Sequence, residues 1–162
     1  MPDQTLLLLL DEVRGKTLLI LEATPAEFSR WVPPGLGNHI LWCAGHSYVV
    51  VESLAMRALG RPPEIPEGWF EMFSWDSRPA LVSPDRWPTL AEVVARLRVQ
   101  HERLRGIIGD LSVEQLDGLS EDNPARTVRY AILHGLHDEA GHIGEAFLML
   151  KMQAREGTYR FS

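Results

Sequence analysis

Apolar residues recur at helical spacing in four long segments of the chain, and nowhere alternate with polar ones as in a strand. Residues 4–23 carry Leu6, Leu7, Leu10, Val13, Leu18 and Leu21 on one broad stripe, with Asp11, Glu12, Arg14 and Lys16 expected outside it. So wide an apolar surface predicts cover on more than one side, and any face left over favours a homodimer. Pro25 and the turn-rich residues 31–37 end this helix. A second helix is expected from Asn38, read as its N-cap, to about Leu59, where Gly60, Pro62 and Pro63 stop it. Its inner stripe holds His39, Trp42, Cys43, His46, Val50 and Ser53.

Residues 60–88 break the pattern. They hold six prolines and Trp69, Trp75 and Trp87, with no clean period. A connector this long in a small domain predicts an excursion packed on the body, its tryptophans plugging the core rather than forming a lid. Thr89 and Glu92 make a capping box that opens a third helix to about Ile108. Leu90, Val93, Val94, Leu97, Leu104 and Ile107 face inward there. Ser112 and Gln115 repeat the device for a short helical turn. After a polar loop over 117–126, Thr127 caps a last helix that runs to about Arg155. Its inward face carries Ala131, Leu136, Ile143, Phe147 and Leu150, and the tail from Gly157 is expected to fray. Four long helices with one long crossover between the second and third predict an all-α four-helix bundle, a single domain over residues 1–162.

Composition narrows the class. A chain of 162 residues, 45% apolar and 23% charged, has the balance of one globular domain with a sizeable core. A formal net charge of −6 argues against a nucleic-acid surface, which needs a basic stripe. The single cysteine, Cys43, excludes an intramolecular disulfide framework and fits a reducing cytoplasm. The leucine run at 6–10 is too short, and too closely flanked by acidic residues, for a signal peptide. No apolar run is long enough to cross a bilayer, so no membrane association is expected.

The candidate chemistry sits in H-G-L-H-D-E-A-G-H-I-G-E at 134–145, which holds three of the six histidines. Asp138 and His142 stand four apart and share a helix face, with His134 one turn back. A carboxylate and an imidazole so placed can bind one divalent ion if a third ligand arrives from elsewhere. His46 is the candidate: it lies mid-helix among apolar neighbours, beside Gly45, which permits close helix approach. Taken singly, each histidine has a plainer reading as a core residue bonded to a backbone carbonyl. An ionised Asp138 in an apolar interior, however, needs an opposite charge, and an ion supplies it. His134, Glu139 and Cys43 are candidate supports for this triad. His134 reads either as a partner or alternative to the ligands or as a core histidine. Glu139 and Glu145 could each orient a ligand histidine, though an exposed glutamate is the favoured reading for both. Cys43 could be a fourth ligand or a nucleophile, and by default is a small buried hydrophobe. His39 is expected near the helix cap, and His101 and His137 on the surface.

Three blocks carry a resemblance: N-H-I-L-W-C-A-G-H at 38–46, P-T-L-A-E at 88–92 and H-D-E-A-G-H-I-G-E at 137–145. Over nearly its whole length the chain resembles the DinB/YfiT-like superfamily of bacterial four-helix proteins. That family's triad is a histidine in the middle of helix two plus a His-x-x-x-His pair on the last helix. The resemblance thus implies His46, Asp138 and His142 as metal ligands. Asp138 stands where histidine is usual, and a carboxylate there resembles the branch containing mycothiol-dependent maleylpyruvate isomerase, which uses glutamate. The implied ion is Zn²⁺, with Ni²⁺, Mn²⁺ or Fe²⁺ as alternatives. The implied activity is transfer of a low-molecular-weight thiol to a small-molecule substrate, in a homodimer. Open coordination positions would also serve a hydrolase, and a closed site would make a non-catalytic, stress-associated helical module with a structural or vestigial metal.

Overall fold

The computed structural model describes residues 2–155, in the order α1 (Gln4–Glu22), α2 (Ile40–Ala58), α3 (Trp69–Phe73), α4 (Leu90–Gly109), α5 (Val113–Asp117) and α6 (Val128–Arg155). α1, α2, α4 and α6 are the four long helices of the expected bundle, and α3 interrupts the crossover from α2 to α4. Among the described residues the β pairing is one isolated bridge, Leu119 to Thr127. α2 packs chiefly on α6, and also on α4 and α3. That central position explains why nearly all of α2 is buried. The expected fraying of the tail concerns residues outside those described.

Local chemistry sets most helix starts. Asp3 accepts the Leu6 N–H at 3.0 Å, and Thr127 accepts the Tyr130 N–H at 3.1 Å. Both capping boxes, Thr89 with Glu92 and Ser112 with Gln115, form as the sequence predicts. α2 differs from expectation. Its N-cap is His39 and not Asn38: the extended His39 backbone lets its own Nδ1 accept the Trp42 N–H at 3.0 Å. An unprotonated imidazole nitrogen is as good an acceptor here as an amide oxygen, and burial edge-on against Trp87 holds the ring in place.

The inner stripe of α1 is also shifted. It runs Leu7, Leu10, Arg14, Thr17, Leu21, at alternating steps of three and four, while Val13 and Leu18 are only half-buried. Arg14, expected outside, is fully buried. Its Nε and Nη2 donate to the two Glu139 carboxylate oxygens at 2.8 and 3.0 Å, Nη1 donates to the Leu97 carbonyl at 2.6 Å, and Nη2 also reaches Gln100 Oε1 at 2.9 Å. Thr17 Oγ1 donates to Glu139 at 2.6 Å. Gln100 Nε2 passes the chain on to Glu52 at 2.9 Å, and Glu52 takes a further bond from Arg103 Nη2 at 2.5 Å. One continuous polar layer therefore joins all four long helices.

This layer divides the apolar core in two. On α1 it falls between Leu10 of one cluster and Ile20 of the other; on α4, between Leu104 and Leu97; on α6, between Leu136 and Ile143. Glu139, read from sequence as an exposed residue or a support for the triad, is fully buried and committed to Arg14.

Two predictions follow from these contacts. Arg14→Met strands a buried carboxylate and should destabilise the fold by about 3–5 kcal/mol, while adding Glu139→Leu should recover most of that loss in urea unfolding. The second concerns His39. Burial, and then the charge of Arg30, push its imidazole down to about 4 from 6.5. Between those values the unfolded chain binds more protons than the folded one, so this contribution is complete above pH 6.5 and is lost as pH falls toward 4. Urea titrations across that window should show the decline, and His39→Asn, which keeps a capping acceptor, should flatten it.

Candidate metal centre

His46 lies one and a half turns into α2, facing both α3 and α6. Its Nδ1 is 2.6 Å from the backbone carbonyl of Phe73. A carbonyl only accepts, so Nδ1 carries the proton and the Nε2 lone pair is free. Gly45 makes this contact possible: a Cβ there would lie 2.3 Å from the Phe73 ring, so only glycine lets α3 dock against α2. Trp42 stacks on the His46 ring at 4.4 Å and meets His142 edge-on at 5.4 Å, while its indole N–H donates to Ser77 Oγ at 2.9 Å. The crossover thus holds His46 through a carbonyl, and holds the packing neighbour of both imidazoles through a hydroxyl.

α6 supplies the other two groups. His142 Nδ1 is 2.9 Å from Glu145 Oε2; the carboxylate accepts, so again Nε2 is left free. Asp138 Oδ2 lies 3.1 Å from His46 Nε2 and 3.9 Å from His142 Nε2. Ligand atoms of His46, Asp138 and His142 all fall within 4.8 Å of one another. Gly135 allows α6 to come this near α2, since a Cβ there would sit 3.3 Å from Val51 Cα.

The donor set fits a cation. Asp138 Oδ2 is buried and has no hydrogen-bond partner among the described residues. Its 3.1 Å approach to His46 Nε2 is an ion pair when the ring carries both protons; with one proton, on Nδ1, it sets a carboxylate oxygen against a lone pair. In that singly protonated state a cation between the two acceptors would satisfy both. Tetrahedral Zn²⁺ with bonds of about 2.05 Å sets its ligand atoms about 3.3 Å apart, which the two measured separations bracket. Burial pushes the Asp138 carboxyl up, and a hydrogen bond from protonated His46, with the charges of His46, His142 and His134, more than offsets this and leaves it below its ordinary value.

A family model described as the DinB superfamily matches residues 9–146. The chain belongs to the DinB superfamily. A conserved protein from Enterococcus faecalis, known from its crystal structure, aligns with a TM-score of 0.67 at 16% identity, over 92% of this chain and 95% of that one. At that identity the likeness is one of fold. No curated protein matches.

In this DinB-superfamily chain the residues around the triad differ from their sequence-based roles. Glu145, and not Glu139, bonds a triad histidine, His142. His134 is exposed, falls in neither candidate ligand group and stacks on Tyr130 at 5.8 Å. Cys43 is fully buried and groups with His142 and Glu145, their ligand atoms also within 4.8 Å of one another. Burial, and then the charge of Glu145, push its thiol up to about 12, so on its own it is a protonated hydrophobe and no nucleophile. His137 is exposed as expected, whereas His101 is half-buried in an ion pair with Asp11 at 2.8 Å. Of the tryptophans, Trp69 plugs the core and Trp87 is half-buried, but Trp75 is 55% exposed.

Trp75 instead walls a cavity of about 270 Å³ that opens on His46 and Asp138. Val50 and Leu54 complete its apolar side, and His134 and Arg126 also line it. For Trp75 the sequence leaves lid and core plug open and favours the plug, which its exposure reverses; it gives no sign of Arg126 or of the supporting roles of Trp42 and the Phe73 carbonyl. A backbone acceptor leaves no mark in side-chain identity.

Gly45→Ala would force the Phe73 ring, and the carbonyl that fixes His46, away from α2. It is expected to cost about 1–3 kcal/mol of stability by overpacking, measured by chemical denaturation.

Proposed function

We propose that this protein binds one divalent ion, with Zn²⁺ favoured, through His46, Asp138 and His142, and acts as a thiol S-transferase. Carrying the reading is one observation: two imidazoles whose Nδ1 atoms are already committed turn their free Nε2 atoms toward an unpartnered buried carboxylate oxygen, beside an open cavity. A bound ion would lower the pKa of a thiol reaching it, so that thiolate forms at neutral pH.

The chain's own residues do the rest. Phe73 and Glu145 hold the ligand rings in one tautomer and orientation, and Trp42 packs against both. Val50, Leu54 and Trp75 offer an apolar wall that would exclude water from an organic ligand. His134, which lines the same cavity, is the proposed acceptor of the proton a thiol releases. The apolar wall favours a thiol and an organic acceptor over simple hydrolysis. We further propose a cytoplasmic homodimer formed through α1, where Leu8 and Leu19 are 68% and 61% exposed. No described helix is long and apolar enough to cross a membrane.

Purified without chelator or affinity tag, the protein should carry close to one equivalent of metal by elemental analysis, and His46→Ala should lose it while keeping its helical circular dichroism. A folded wild-type protein that stays metal-free after incubation with Zn²⁺, Ni²⁺ and Mn²⁺ would contradict the reading.

A further inference from the structure

Cys43 lies on α2, three residues before His46, and is fully buried. Its hydrogen bonds run through the backbone: its N–H donates to the His39 carbonyl, and its own carbonyl accepts from Ser47 Oγ. Its sulfur is in no disulfide and has no hydrogen-bond partner among the described residues. That Sγ meets a ring nitrogen of His142 and a carboxylate oxygen of Glu145, the three ligand atoms all within 4.8 Å of one another. Around one tetrahedral ion a sulfur and an imidazole nitrogen stand about 3.5 Å apart, so little is left to close.

His142 is the one residue this group shares with the triad. Its ring stands between the two, Nδ1 2.9 Å from Glu145 Oε2 and Nε2 3.9 Å from Asp138 Oδ2. A neutral imidazole has one lone pair, so it serves one ion at a time. The groups also differ in character. The triad offers imidazole and carboxylate, which suit Zn²⁺, Ni²⁺ and Mn²⁺ without ionising a buried thiol. The other group offers sulfur, which soft ions bind as thiolate. Glu145 is exposed, which gives an ion a way in past its carboxylate.

Resting on the triad reading above, we infer that Cys43, His142 and Glu145 form a second site, for a soft divalent ion such as Cd²⁺, whose occupation excludes an ion from the triad. Binding forms a metal–sulfur bond, and the Cys43 proton passes to solvent. The His142 lone pair moves to Nδ1 and its proton to Nε2, so His46 and Asp138 lose their third ligand.

The test titrates Zn²⁺-loaded protein with Cd²⁺. It follows the sulfur-to-cadmium charge-transfer absorption in the ultraviolet and, after desalting, the bound metals by elemental analysis. The band should grow as Zn²⁺ is lost, ending at one Cd²⁺ per chain. Cys43→Ala should keep its Zn²⁺, which shows that it folds, and give no band. Glu145→Gln, at an exposed position, should keep the band but need about tenfold more Cd²⁺ to displace half of the Zn²⁺. Cd²⁺ replacing Zn²⁺ without a band, or two ions held per chain, would overturn the inference and leave the triad reading standing. A band from protein that never bound Zn²⁺ would overturn the triad reading and uphold the Cys43 site.

Discussion

The buried ion pair of Arg14 with Glu139 is the constraint from which the rest of the geometry follows. Both groups are fully desolvated, and each spends its hydrogen-bonding capacity on partners from other helices: Thr17 on α1, Leu97 and Gln100 on α4. Through Gln100 the layer reaches Glu52 and Arg103, so α2 is tied in as well. Such a layer adds little net stability over a well-packed apolar one, because desolvation offsets most of the attraction. What it does supply is register. A one-residue slip or a rotation of any helix would leave a charge buried without its partner, a cost that apolar side chains packed in two separate clusters do not impose on their own.

That register has a direct consequence for the site. Glu139 follows Asp138 in sequence, and adjacent residues on a helix point about 100° apart. With Glu139 held against Arg14 on α1, Asp138 is turned toward α2 and meets His46 there. Glu52, the α2 member of the layer, is six residues beyond His46 on the same rigid helix. One polar layer therefore sets the rotation of α6 and the position of α2 together, and those are the two variables that bring Asp138, His142 and His46 to a common point. The crossover completes the arrangement, with Phe73 fixing one imidazole and Ser77 fixing the tryptophan packed on both.

The bundle, its long helices and its capping boxes were legible in the sequence because each rests on local rules: apolar period, Ser or Thr at N-cap, Glu or Gln three residues on. The four-residue spacing on α6 and an isolated polar residue among apolar ones on α2 point to His46, Asp138 and His142, whose ligand atoms lie within 4.8 Å of one another. Charge predicts exposure for Arg14 and Glu139, and only the long-range match between them, 125 residues apart, reverses that. His39 displaced Asn38 as a cap because tertiary packing against Trp87 fixed its ring where a nitrogen could serve. The Phe73 carbonyl could not be anticipated, since backbone groups are the same at every position. Trp75 and Arg126 belong to connecting segments whose path no period records.

The central claim is that α2 and α6 bring two imidazoles and one carboxylate together around a single divalent ion. Anomalous diffraction at the zinc edge, from crystals grown with Zn²⁺, tests it most directly. The account predicts one strong peak at bonding distance, about 2.0–2.2 Å, from His46 Nε2, His142 Nε2 and a carboxylate oxygen of Asp138, with at least one position open to the cavity. A peak elsewhere, or none at that junction while His46 and Asp138 stay bonded only to protein groups, would contradict it.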